Sequence, residues 1–197
     1  MIQTEFGSFE GFEQILVSML FFGMLIGSLI VGQIADRIGR RPPFLIFNLQ
    51  LCIFNGWSAS ASSYWEFVFT TFCVGLAIGA LVPLSKVILA EITPVKYRGR
   101  LVTLMGAAFA FGELVAAVVA WFMLDNLNEG NWRGAVAWLC IPAAVSCVYL
   151  YFVMDECSRF DYLNGKEEEA WETLGIMAKD NVEDEEKIKD ILTEKAK

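Results

Sequence analysis

Residues 14–35 carry no charged side chain, nor do residues 43–61, and the short stretch between them holds Arg37, Arg40 and Arg41. Each uncharged run is about the 20 residues that a helix needs to cross the hydrocarbon of a bilayer. Inside lipid only a helix or a closed barrel satisfies every backbone N–H and C=O. The pattern therefore predicts two membrane-spanning helices, reversed by a tight basic turn. An excess of arginine in so short a loop marks its side as cytoplasmic.

The alternation continues along the chain. Three further apolar runs, at 67–90, 101–124 and 134–154, bring the expected total to five spans within a bundle covering 14–154. The loop at 91–100 holds Lys96, Arg98 and Arg100, whereas 62–66 holds no basic residue and 125–133 holds only Arg133. No Lys or Arg precedes Arg37. By the positive-inside rule, segment 1–13 is extracytoplasmic and segment 155–197 is a cytoplasmic tail. Trp57, Trp65, Trp121 and Trp132 fall near the outer interface, where an aromatic belt is expected. Glu5, Glu10 and Glu13 ahead of a long first run argue against a cleavable signal peptide.

At 56% hydrophobic residues the chain is too apolar for an ordinary soluble domain. Its net charge of −8 is concentrated in the tail, where residues 155–197 carry 7 basic and 14 acidic side chains. That distribution excludes nucleic acid as an expected partner. Cys52, Cys73, Cys140 and Cys147 lie in apolar runs, and neither they nor Cys157 show metal-ligand spacing. No metal or cofactor is expected. Histidine is absent, so any proton chemistry would fall to carboxylates. Nothing in the pattern implies covalent chemistry, and no enzymatic activity is expected.

Gly23/Gly27 and Gly75/Gly79 are pairs of small residues four apart, the spacing that lets two helix backbones touch in lipid. Pro83 and Pro142 lie within spans and should kink or loosen them. In the tail, Ala170, Trp171, Leu174 and Met177, then Ile188, Ile191 and Leu192, recur at helical spacing. Two short amphipathic helices are expected there, either packed under the membrane domain or solvated.

Three motifs carry a family resemblance. Gly32-x-x-x-Asp36-Arg37-x-Gly39-Arg40-Arg41 resembles the signature loop of the major facilitator superfamily, between that family's spans two and three. The stretch from Ala90 to Arg100, with Glu91, Pro94, Arg98 and Gly99, is similar to the loop after span four in its sugar and organic-ion branches. Asp155-Glu156-Cys157-Ser158-Arg159-Phe160 resembles the motif after span six, with Asp155 and Cys157 in place of the usual prolines. The residues that follow, 161–170, are most similar to the synaptic-vesicle-related branch. The resemblance implies an all-α membrane fold: a partial N-terminal facilitator bundle whose five spans match spans two to six, plus a helical tail. The sequence is thus expected to be an N-terminal-half fragment without the first span. A family arginine in span four aligns with Thr71, which puts proton coupling through that span in doubt.

The resemblance also implies a cytoplasmic charge network, from Asp36, Arg37, Arg40, Arg41, Glu91, Arg98, Glu156 and Arg159. Arginine forks grip carboxylates bidentately, so such a network can latch a gate. Remaking a few pairs would shift an equilibrium by the roughly 1–3 kcal/mol typical of coupling. Alternatively these arginines only set topology. Glu113, midway along the fourth run, costs about 2.5–3.5 kcal/mol to insert and should face the bundle interior or a wet cavity. It is the candidate transport-path residue, or else a protonated or paired structural glutamate. Lys86 reads as snorkelling to the interface. Asn55 and Ser85 either touch solute or bond another helix. The implied function is movement of a small organic solute across a plasma or vesicle membrane by alternating access, with the missing second half as a partner. The alternative is a non-transporting membrane scaffold or binding protein, or an inactive truncated fragment.

Overall fold

A computed structural model of the chain describes residues 11–93, 95–123 and 132–154. All regular structure among the described residues is helical: α1 (Phe12–Ile38), α2 (Arg41–Ala59), α3 (Tyr64–Ile92), α4 (Val95–Met123), α5 (Trp132–Trp138) and α6 (Cys140–Val153). The expected tail helices, Glu156 and Arg159 lie outside the described residues.

Four helical stretches are long and apolar enough to cross a membrane: α1, α3, α4, and α5 with α6 counted together. Where the remaining expected span falls lies α2, a 19-residue helix that does not reach that apolarity, diluted by Asn48, Gln50 and Asn55. Those polar groups face protein. Asn48 and Asn55 are buried, the Ser146 hydroxyl donates to Asn48 Oδ1 at 3.0 Å, and Gln50 Nε2 donates to the Cys73 carbonyl at 3.0 Å. Such bonds join helices where lipid supplies no hydrophobic drive between them.

The reversal between α1 and α2 is as tight as the sequence implied. Gly39 closes α1 at φ +95°, a conformation that a side chain resists, and its N–H returns to the Ala35 carbonyl at 3.1 Å. Pro42 and Pro43 then occupy the first turn of α2, where a missing N–H costs nothing.

The seam of the bundle is α1 against α3. A Cβ placed on Gly23 would run into the Phe72 carbonyl, on Gly27 into the Leu76 carbonyl, on Gly75 into the Leu20 carbonyl and on Gly79 into the Met24 carbonyl. The two glycine pairs face each other, and each helix offers the other bare backbone. Below this seam Val31, Ala35, Phe47, Ala80 and Leu84 form a buried cluster joining α1, α2 and α3.

The two prolines within spans sit differently. α3 runs through Pro83 as a single continuous helix. Near Pro142 the helix is interrupted for one residue: α5 and α6 are separated at Leu139, whose backbone stays helical at φ −64° and ψ −19°. A proline at 142 has no N–H for the carbonyl four residues back, at Trp138, and its ring crowds that carbonyl. The Leu139 N–H bonds instead to Val136, three residues back, at 3.1 Å.

The helices also overrun the expected spans. Only Thr93 and Pro94 separate α3 from α4, so Glu91 sits on α3 and Arg98 and Arg100 on α4, not on a loop. Apolar runs mark what lipid covers, whereas the helical ladder continues into the polar interface. Trp132 is a further departure. It is 7% exposed, whereas Trp57, Trp65 and Trp121 are exposed as belt residues would be.

Candidate functional site

The basic turn, the end of α3, the start of α4 and the end of α6 gather at one end of the bundle. Arg40 is the centre of this gathering. Its Nε lies 3.3 Å from Glu91 Oε2, one Nη lies 3.3 Å from Asp36 Oδ1, and the other donates to the Ala35 carbonyl at 3.1 Å. The same Nη that faces Asp36 also donates to Glu91 Oε1 at 3.4 Å. One guanidinium therefore spans the C-terminal ends of α1 and α3 from the N-cap of α2. A cation here is doubly favoured, because it also sits at the C-terminal end of α1, the negative end of that helix's dipole.

Burial separates the two carboxylates. The Arg40 and Glu91 side chains are 17% and 13% exposed, and that of Asp36 is 73% exposed. The Glu91 contact is consequently the stronger partner, since water screens the Asp36 pair. Sequence position explains each placement: Asp36 and Arg40 are four apart across the turn, and Glu91 ends the helix whose glycines bring it against α1.

Arg41 extends the cluster in a direction that the sequence did not show. It donates to the Tyr151 carbonyl at 3.1 Å, tying the start of α2 to the last turn of α6. Its partner is backbone, so no residue type flags it. Arg37 is exposed on the last turn of α1. Arg98 is exposed on α4 and, among the described residues, pairs with no carboxylate. Among the described residues the structure brings Asp36, Arg40 and Glu91 together and bonds Arg41 to the Tyr151 carbonyl, while Arg37 and Arg98 lie outside that contact.

Glu113 stands apart. It lies midway along α4 and is exposed, as is nearly all of that helix. Lys86 is exposed on α3, and the Ser85 hydroxyl bonds its own helix at the Val82 carbonyl. No group of His, Cys, Asp or Glu among the described residues is placed to hold a metal ion.

With this geometry in place, likeness to known proteins can be stated. The family model described as "Sugar (and other) transporter" matches residues 11–197. The chain belongs to that family. Among curated relatives, bovine (Bos taurus) synaptic vesicle 2-related protein is 33% identical over 170 residues, which is 85% of this chain and 30% of the relative. The gentisate transporter of Corynebacterium glutamicum is 32% identical over 128 residues, 65% of this chain and 29% of the relative. Among solved structures, the major facilitator proton:xylose symporter XylE matches at TM-score 0.80 and 27% identity, over 88% of this chain and 43% of that one. The chain spans about a third of the length of the curated relatives it matches. Family, fold and apolar helices make it an integral membrane protein with a partial N-terminal facilitator bundle, of the sugar and organic-ion type and the synaptic-vesicle-related branch.

Proposed function

We propose that this chain supplies first-half helices of a transporter that moves a small organic solute across a membrane by alternating access. The observation that carries the reading is the Arg40 clasp, which bridges α1, α2 and α3 at one end of the bundle through a charged contact largely shielded from water. A clasp of that kind holds an end shut and releases it for the loss of two or three charge-assisted bonds. In this reading the arginine-bearing end is cytoplasmic, the tail lies on that side, and Glu156 and Arg159 belong to the same charge network. Glu113 lines the solute path on α4, facing a complementary second half. The membrane is the plasma membrane or that of an intracellular vesicle. Support comes from the family match and from relatives that carry transporter names.

The test is uptake by proteoliposomes that hold this chain together with the complementary half of a full-length relative. A panel of sugars, organic cations and carboxylates should include at least one solute that accumulates above empty vesicles. Glu91→Gln should lower that uptake several-fold at equal protein loading. Failure of every solute would overturn the reading. For Glu113, a Gln variant with unchanged rate and unchanged pH dependence would remove it from the path.

A further inference from the structure

At the end of the bundle opposite the Arg40 clasp, α5 is a helix of only 7 residues, cut from α6 at Leu139. Two turns of helix gain little stability of their own. Their position must come from contacts with neighbours: Trp132 and Arg133 make several of them, and Val136 packs against the buried cluster that includes Trp132.

The Arg133 guanidinium donates to the Ala59 carbonyl at 3.1 Å and to the Ala61 carbonyl at 2.9 Å. The Ala59 carbonyl is the last of α2 and sits at the negative end of its dipole, and Ala61 lies two residues beyond. The same guanidinium lies over the Trp132 ring at 4.7 Å from its centroid. The Trp132 ring in turn meets Phe67 of α3 edge-on at 5.5 Å, with Ala61 fully buried in the same cluster. One fork thus fixes α5 to α2, and one ring fixes it to α3.

We propose that Arg133 is a positioning residue: it docks α5 as a flap, hinged at Leu139, onto the end of α2. Leu139 keeps a helical backbone, but Pro142 leaves the Trp138 carbonyl without its helical donor, which makes this junction the weak point between α5 and α6. With the fork in place, α5 is held although the ladder behind it lacks one bond. With the fork removed, α5 swings at Leu139 while α6 stays where it is, tied to α2 by Ser146 against Asn48 and by Arg41 against Tyr151. The inference rests on this end of the bundle alone and does not depend on the transport reading.

The test is hydrogen–deuterium exchange on the full chain in lipid nanodiscs. Arg133→Gln should speed exchange of the amides at 133–139 about tenfold or more, as local opening does, and leave those at 36–44 unchanged. Arg133→Lys, which keeps the charge but loses the fork, should recover part of the protection. Pro142→Ala restores an N–H toward Trp138 and makes the helix continuous. In that background Arg133→Gln should therefore speed exchange by less than about threefold. A residue that merely stabilised the bundle would show the same acceleration in both backgrounds, or acceleration at both ends. Either result would overturn the proposal, as would unchanged exchange at 133–139 in Arg133→Gln.

Discussion

α3 and α4 are both 29-residue helices, both apolar enough to cross a membrane. Half of the most apolar stretch of α3 is buried inside the protein, and none of that of α4 is. Apolarity cannot account for the difference. What separates them is the line of small residues on α3, where Gly75 and Gly79 meet α1 backbone to backbone. α4 has glycines too, at Gly99, Gly106 and Gly112, yet a Cβ on any of them would meet nothing within 4 Å. Apolar side chains place a helix in lipid; the fit of its surface to a neighbour decides whether it packs.

Substitution can break that contrast, and the largest effect is expected at the seam. Gly27→Val or Gly79→Val puts atoms where carbonyls of the facing helix stand, and should cost about 3 kcal/mol or abolish folding, as severe overpacking does. Gly112→Val on α4 should leave the unfolding transition in detergent unmoved. If the two changes cost the same, the seam is not what holds α1 to α3.

Next in size is the charged tie of α3. Glu91→Gln leaves a largely buried Arg40 without its main counter-charge and should destabilise by about 2 kcal/mol. Asp36→Asn should cost less, since solvent already screens that carboxylate, and Arg98→Gln on α4 should cost nothing measurable in the same thermal melts. A smaller loss, about 0.6 kcal/mol, is expected for Ser146→Ala, the size of an average bond between membrane helices. Smallest of all should be Phe111→Ala on α4. Its ring is 68% exposed, so truncation should leave the detergent melting temperature unchanged in this chain.

The sequence made the helices legible because uncharged runs of span length have few other solutions in lipid. The glycine pairs were legible for the same reason, as spacing with one geometric use. The Arg40 clasp was legible in its residues, through a resemblance, but not in its ranking: only burial shows that Glu91 outweighs Asp36, and only the geometry shows that Arg98 takes no carboxylate among the described residues. The backbone partners of Arg41 and Arg133 are the least legible of all. Both arginines donate to backbone carbonyls, which every residue possesses, so no pattern of side chains could announce them. Trp132 was placed in a belt by its type, whereas its partners Phe67 and Ala61 draw it inside.

The two-residue reversal at Gly39 and Arg40 has a mechanical consequence. Between the last residue of α1 and the first of α2 there are only Gly39 and Arg40, and the glycine is fixed by its bond to Ala35. Such an elbow has no slack. Neither helix can slide lengthwise past the other, so any axial push delivered to one at this end is handed on undiminished, and a single inserted residue would put the whole of α2 out of step with the carboxylate that Arg40 must reach.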